Sequence, residues 1–204
     1  YTPPMTSPPT PPVVLWDDAL ARLGPLTDTR HAHGVRTGAL TLRERMETAG
    51  IKGILAIDTP GEEGLREAHA RFPVGPEEAI VVGAGCVAHP ESLVSIERGQ
   101  RVVDARSGRL VACRIGREEI SSIAEKSFLE GAERSDAPCL LERPWDVIRH
   151  RDATLAMDLS LILKSDRWMR QAPAGVVLVG EGRVAIDPSA DVFPTVVLDA
   201  SDGP

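Results

Sequence analysis

The sequence has few aromatic residues, few lysines and no excess of positive charge. Only 3% of its 204 residues are Phe, Tyr or Trp, so stacking of bases or sugars on aromatic rings is not expected to dominate binding. The net charge of −7 argues against nucleic acid or an anionic membrane as a partner, because both need a basic surface. A local arginine cluster can still bind a small phosphorylated ligand. Any chemistry that needs a lysine must use Lys52, Lys126 or Lys164.

Cysteines, long apolar runs and a leader-like segment are also sparse. Cys86, Cys113 and Cys139 are far apart and form no C-x-x-C motif, and we interpret them as buried small apolar residues in a reducing compartment. No stretch approaches the roughly 18 apolar residues of a membrane span, and no basic segment followed by an apolar one begins the sequence. These features together predict a cytoplasmic location.

The first regular element is predicted at Val13–Trp16, an apolar run of four bounded by Pro12 and Asp17. Such a run is typical of a buried strand. Residues 1–12 before it contain six prolines and no periodicity, so they are expected to form a disordered Pro-rich tail.

Three arginines follow this strand within 15 residues, namely Arg22, Arg30 and Arg36. Ligands of open α/β sheets bind beyond the C-terminal ends of the strands, and Arg meets phosphate oxygens bidentately. The loop therefore predicts a site for a polyanionic ligand. Spacing alone leaves an alternative open, in which the arginines pair with nearby carboxylates and only fix the loop. Those carboxylates are Asp17, Asp18 and Asp28.

Local signals predict alternating helices and strands up to residue 99. The predicted elements are a helix capped by Thr41 and Glu44 and ended by Gly50, a strand over Ile51–Ile57, a helix over Glu62–Arg71, a strand over Ala79–Val82 and a helix over Glu91–Arg98. Alternation of this kind predicts a parallel sheet covered by helices on both faces. Arg101–Ala105 and Arg109–Ile115 then flank a Ser-Gly turn and predict an antiparallel hairpin.

The last third of the chain has a different sequence pattern. A weak helix is predicted over Ile120–Gly131 and a longer one from Arg143 to about Arg170. Ile186, Val192 and Leu198 are then spaced by six, which predicts the first rungs of a truncated left-handed parallel β-helix. We therefore divide the chain into the tail 1–12, an α/β domain 13–172 and the β-helix start 173–204.

Two segments of the chain resemble a known family. Arg22-Leu23-x-Pro25-Leu26-Thr27 resembles part of the sugar-nucleotidyltransferase signature. Together with Trp16-Asp17-Asp18, Thr29-Arg30 and Arg36-x-Gly38-x-Leu40-Thr41, it resembles a bacterial group similar to the N-terminal domain of the bifunctional N-acetylglucosamine-1-phosphate uridylyltransferase/glucosamine-1-phosphate acetyltransferase. Arg143-Pro144-Trp145-Asp146 is similar to the segment that ends this domain in the same group.

The resemblance implies a Rossmann-like nucleotidyltransferase fold with a mixed sheet and a hairpin insertion. It implies transfer of a nucleotidyl group from a nucleoside triphosphate, with UTP as the first candidate, to a sugar 1-phosphate with the help of Mg²⁺. A β-helix in the full-length protein would imply a homo-oligomer. The implied catalytic residues are Arg22, Arg30 and Arg36, and the implied nucleotide-binding residues are Asp17, Asp18 and Thr27; no metal ligand is assigned.

The sequence also departs from the family pattern. Where the signature has a glycine-rich loop that cradles phosphates, this chain has Asp17-Asp18-Ala19-Leu20. The signature lysine is replaced, and no carboxylate for Mg²⁺ follows Ala79–Val82. A second hypothesis is therefore a degenerate, non-catalytic nucleotide-sugar-binding or assembly module of a β-helix acyltransferase.

Two histidines, His31 and His33, lie beside Asp28. Their spacing allows a metal site on an extended backbone, or an ordinary solvated loop, and no Cys or further His lies near them in the sequence. The pair Gly83-x-Gly85 lacks the third glycine of a dinucleotide-binding motif, and we interpret it as a turn.

Overall fold

A six-stranded mixed sheet lies at the centre of the fold. The structure, a computed structural model, describes residues 11–73, 76–137, 139–180 and 182–203; the first ten residues of the predicted tail therefore lie outside the described residues. The strands are β1 (Val13–Trp16), β2 (Ile54–Ala56), β3 (Glu78–Gly83), β4 (Arg101–Asp104), β5 (Leu110–Gly116) and β6 (Glu133–Ser135). Their order across the sheet is β2-β1-β3-β5-β4-β6.

Helices cover both faces of this sheet, as the alternation predicts. They are α1 (Leu42–Thr48), α2 (Gly61–Arg71), α3 (Pro90–Val94) and α4 (Asp146–Lys164), together with short 3-10 segments at Ala32–Gly34, Arg117–Ala124 and Lys126–Leu129. Successive residues of β1 enter different cores: Val14 and Trp16 pack towards α2, whereas Val13 and Leu15 pack towards α1 and α3. This alternation is the two-residue period of a strand buried on both sides.

The α1 helix begins where its capping signal predicts. The Thr41 hydroxyl accepts from the Glu44 backbone N–H at 3.2 Å, and the Glu44 carboxylate accepts from the Thr41 N–H at 2.8 Å. Gly50 follows with a φ of +81°, a left-handed conformation that only glycine adopts without strain. The weak helix predicted over Ile120–Gly131 is instead a pair of 3-10 segments, the first of which begins at Arg117.

The predicted hairpin forms, but it is not a peripheral insertion. β4 and β5 pair antiparallel, and β5 also pairs antiparallel with β3, so that it lies in the interior of the sheet. Asp104 fixes the turn: its carboxylate accepts from the backbone N–H groups of Arg106 and Ser107 and from the Ser107 hydroxyl. Burial opposes ionisation, yet these hydrogen bonds hold the pKa of Asp104 below its usual value.

The C-terminal segment forms a small sheet of its own. Its strands β7 (Val177–Val179) and β8 (Val197–Asp199) form a separate two-stranded parallel sheet with Val177 opposite Val197. The offset is 197 − 177 = 20 residues, whereas three six-residue repeats give 18. The described residues therefore show a small parallel sheet, and stacked rungs of a β-helix are not seen among them. None of the described helices is long and apolar enough to cross a bilayer.

Candidate functional site

The loop after β1 uses its own carboxylates to hold its backbone. Asp17 accepts from the Ala19 N–H at 2.9 Å, and Asp18 accepts from the Leu20 N–H at 3.0 Å. Ala19 has a φ of +60°, in the left-handed region that favours glycine. The two amides that a phosphate-cradling loop would offer are therefore already bonded within the protein.

Asp18 also forms a nearly buried ion pair with Arg109, the residue just before β5. The Arg109 Nε and Nη2 atoms donate to the two Asp18 oxygens, both at 2.7 Å, and the side chains are only 9% and 12% exposed. The Nη1 atom of Arg109 lies 3.3 Å from the Leu141 carbonyl oxygen. This bidentate pair joins the loop after β1 to the hairpin and to residues 139–142.

Residues 139–142 form a strap that joins the loop after β1 to the turn after β3. The Leu141 N–H donates to the Gly85 carbonyl at 2.9 Å, and the Arg22 N–H donates to the Glu142 carbonyl at 2.9 Å. A Cβ atom on Gly85 would lie 3.2 Å from the Leu141 oxygen, and one on Gly83 would lie 2.5 Å from the Leu110 oxygen. Both glycines are thus explained by close backbone packing, in agreement with a turn at this position.

Next to the strap lies a cleft of about 260 Å³, which we call the arginine cleft. It is lined by Leu20, Arg22, Ser107, Arg109, Glu142 and Arg143. Three arginines oppose the carboxylates of Glu142 and of Asp18 behind Arg109, so the local formal charge is 3 − 2 = +1 in a chain of net charge −7. Within the described part of the chain, neither Arg22 nor Arg143 forms an ion pair.

Apolar anchors and a buried acid position the cleft arginines. Leu23 is buried in a small core with Leu141, which fixes the backbone beside Arg22. On the other side, buried Asp146 accepts from the backbone N–H groups of Glu142 and Arg143 at 3.0 and 2.9 Å. The two segments that resemble the family, around Arg22 and around Asp146, therefore meet at this cleft.

The structure brings only part of the predicted site together. Arg36 donates to Glu44 at 2.9 Å and to the Ala39 carbonyl, and exposed Arg30 does not line the cleft. Thr27 is half-buried and lies outside the cleft lining. Asp28 has no arginine partner among the described residues. Arg22 thus shares the cleft with two arginines that we did not predict.

Arg109 and Arg143 have only weak sequence signals of a place in the site. Arg109 directly follows the Ser107-Gly108 turn, where a strand begins, and Arg143 opens the segment that ends the domain in the resembling group. A charged residue next to a strand is ordinarily solvated, so the sequence does not single these arginines out. They share a site only because the hairpin and the strap lie side by side in the fold.

The two aspartates of the loop after β1 do not fit a metal site. Both Asp18 oxygens are bonded to Arg109, and Asp17 caps its own loop. One Glu142 oxygen is shielded from solvent and has no hydrogen-bond partner. In the ranges that the structure describes, no group of three or more His, Cys, Asp or Glu side chains could hold a metal ion.

The two histidines contact Asp58 beyond β2, not Asp28. The Nε2 atoms of His33 and His31 lie 3.1 and 3.5 Å from the same Asp58 oxygen, and the two rings stack with centroids 5.7 Å apart. Since Asp58 follows β2, this contact ties the arginine-bearing loop to the neighbouring strand.

The fold and the cleft define a class: an α/β protein with a mixed sheet and an arginine-lined cleft beside the loop after β1. The family model described as "Sugar nucleotidyl transferase" matches residues 13–167, that is 155 of the 204 residues. The chain belongs to the sugar nucleotidyl transferase family. The predicted resemblance is thereby confirmed at the level of this family, which supports nucleotidyl transfer in general. No curated protein matches the chain.

Proposed function

We propose that this chain transfers a nucleotidyl group from a nucleoside triphosphate, UTP being the first candidate, to a sugar 1-phosphate, and that the phosphates bind in the arginine cleft. The observation that carries the proposal is the pair of ion-pair-free guanidinium groups, Arg22 and Arg143, in a cleft beside the C-terminal end of β1. Cationic donors that contact the phosphates stabilise the charge that develops on the phosphate oxygens during transfer.

The three cleft arginines have different roles in this proposal. Arg109 is neutralised by Asp18, so Arg22 and Arg143 supply the free charge. The Arg143 guanidinium lies 5.4 Å from the centroid of the Trp145 ring, a cation–π contact that restricts its rotamers. Arg143 is thus partly preorganised, and binding an anion costs it less side-chain entropy.

The size of the cleft limits what it encloses. Pockets that enclose drug-sized ligands have volumes of about 300–1,000 Å³, whereas the arginine cleft has about 260 Å³. We therefore expect the cleft to take the phosphates, while the base and the sugar lie along the adjoining surface. With aromatics at 3% of the chain, base recognition is expected to use hydrogen bonds more than stacking.

A second candidate is a non-catalytic nucleotide-sugar-binding or assembly module associated with a β-helix acyltransferase. It is favoured by the loop after β1, because Asp17 and Asp18 occupy the amides of Ala19 and Leu20, and Asp18 is also paired with Arg109, so neither carboxylate is left for Mg²⁺. Such a module would still use Arg22 and Arg143 to hold phosphates. Continuation of the parallel sheet into a β-helix, with the homo-oligomer that it implies, belongs to the same proposal.

The test is a calorimetric titration of the chain with UTP, dTTP and GTP, each with and without Mg²⁺, together with an assay of pyrophosphate release in the presence of N-acetylglucosamine 1-phosphate or glucose 1-phosphate. Sugar-dependent pyrophosphate release supports the transferase and identifies the base. Nucleotide binding without pyrophosphate release in any mixture favours the non-catalytic module. Absence of binding to all three nucleotides, in a sample that is folded by circular dichroism, contradicts the transferase and leaves the non-catalytic module.

Asp18→Asn is expected to strengthen the binding of inorganic pyrophosphate by about 5- to 30-fold, because removing one negative charge frees the guanidinium of Arg109 for the ligand. If Asp18 instead contacts the nucleotide favourably, as the family resemblance implies, affinity falls. Calorimetry with pyrophosphate distinguishes an increase in affinity from a decrease. Asp152→Asn, an exposed acid on α4 outside the cleft, is the matched control for the change in net charge.

A further inference from the structure

Two of the three cysteines lie side by side where the strap meets the end of β3. Cys86 forms an antiparallel β-bridge with Leu140, and the Val87 N–H donates to the Cys139 carbonyl at 2.8 Å. Cys86 and Cys139 therefore occupy adjacent, offset positions on two paired segments, and both side chains belong to the same core cluster. Their side chains interact directly, as two cysteines that are to form a disulfide must.

The two thiols have different acidities. A hydrogen bond from the Cys86 thiol lowers the pKa of Cys139, so the Cys139 thiolate is favoured. The same contact, together with burial, raises the pKa of Cys86 well above its usual value. Cys113, which lies in β5 away from this pair, has its pKa raised to about 12 by burial.

Cys139 also has a path to solvent. It lines a cavity of about 610 Å³ between α3 and the β4–β5 hairpin, whose wall includes Leu93, Ile96 and Val102. Ser92, Ser95 and Gln100 supply polar groups to the same cavity. Cys86 is 2% exposed and does not line this cavity, so a small oxidant reaches Cys139 first.

We propose that Cys86 and Cys139 form a reversible thiol pair that closes to a disulfide on exposure to a hydroperoxide. The Cys139 thiolate attacks the peroxide oxygen, the O–O bond breaks, and the leaving oxygen takes up a proton as water or alcohol. The resulting sulfenic acid on Cys139 is attacked by the Cys86 sulfur, which releases water and forms the S–S bond. The two thiols lose two electrons and the peroxide gains them.

The bond would fasten the strap to the turn after β3. Glu142 and Arg143, which line the arginine cleft, follow Cys139 by only three and four residues. Because the cross-link closes a loop from residue 86 to residue 139, it restricts the unfolded chain, and we expect oxidation to raise the Tm by about 5–15 °C. This inference does not depend on the proposed function of the cleft.

The test treats the full chain with graded hydrogen peroxide, alkylates the remaining thiols and maps cross-links by mass spectrometry of unreduced peptides. We expect wild type to lose two of its three thiols, to yield a Cys86–Cys139 cross-linked peptide, to gain the Tm shift and to revert in dithiothreitol. Cys113→Ser is the matched control and should behave as wild type apart from its missing thiol.

Two further variants separate the steps. Cys139→Ser should form no cross-link at peroxide concentrations that oxidise wild type. Cys86→Ser should stop at a sulfenic acid on Cys139, which dimedone traps. Retention of all three thiols in the folded wild type, or cross-links that involve Cys113 or a second chain, would overturn the proposal.

Discussion

Asp158→Ala is expected to lower the free energy of unfolding by about 3–5 kcal/mol, the largest change in stability that we expect from one substitution here. Asp158 is fully buried on α4, and its oxygens accept from the Nε and Nη2 atoms of Arg45 at 2.5 and 3.1 Å and from the Leu40 N–H at 3.0 Å. Arg45 is only 1% exposed. Without Asp158 its positive charge is buried with no counter-ion, which costs more than the loss of a solvated pair.

Urea unfolding followed by circular dichroism measures this loss. Arg43→Ala is the control, because the pair of Arg43 with Glu47 lies on the same helix α1 but is solvent-exposed, and its removal should cost under about 1 kcal/mol. The double variant Arg45→Met with Asp158→Leu removes both charges and should recover most of the stability. A loss for Asp158→Ala no larger than that for Arg43→Ala would mean that water reaches Arg45.

The same ion pair explains a motif that we interpreted as part of a ligand site. A Cβ on Gly38 would lie 2.4 Å from the Asp158 Oδ2 atom and 2.9 Å from the Leu155 backbone nitrogen. Arg36-x-Gly38-x-Leu40-Thr41 therefore holds helix α4 against the loop. Its partner lies 118 residues further along the chain from Leu40, a separation over which spacing in the sequence carries no information.

The fold was predictable where its signals are local. The run Val13–Trp16 and the Thr41–Glu44 cap depend on neighbouring residues, and both form as expected. The strand predicted over Ile51–Ile57 is shortened to Ile54–Ala56 because Gly53, with a φ of +69°, interrupts the extended backbone. The interior place of β5 has a sequence signal in retrospect, since Leu110–Ile115 is almost continuously apolar, which is typical of strands buried on both faces.

The candidate site was predictable only through Arg22. Its loop carries the family-like segment, whereas Arg109 and Arg143 join the cleft through a hairpin turn and a strap that no spacing connects. The β-helix that the six-residue spacing of Ile186, Val192 and Leu198 predicts stays a prediction, because the described residues show one pair of parallel strands, β7 and β8, at an offset of 20 residues.

Arg22→Ala is expected to weaken UTP binding and to reduce nucleotidyl transfer about 100-fold or more, which is the largest functional effect that we expect. Removing one hydrogen-bond donor to a developing anion typically costs about 10²–10³ in rate. The backbone N–H of residue 22, which donates to the Glu142 carbonyl, is kept in alanine, and the Arg22 side chain is exposed. The substitution should therefore leave the fold intact.

The measurements are calorimetry with UTP and pyrophosphate release, on samples of matched circular dichroism. Arg66→Ala removes an equal charge from the exposed face of α2 and should change neither quantity. Arg22→Lys keeps the charge but not the bidentate fork, and is expected to recover only part of the loss. If Arg22→Ala binds UTP and releases pyrophosphate as wild type does while Arg143→Ala does not, the role assigned to Arg22 is wrong. The arginine cleft then remains the proposed phosphate site. If neither variant changes UTP affinity, the phosphates bind elsewhere, and the arginine cleft is a structural junction between the hairpin, the strap and the loop after β1.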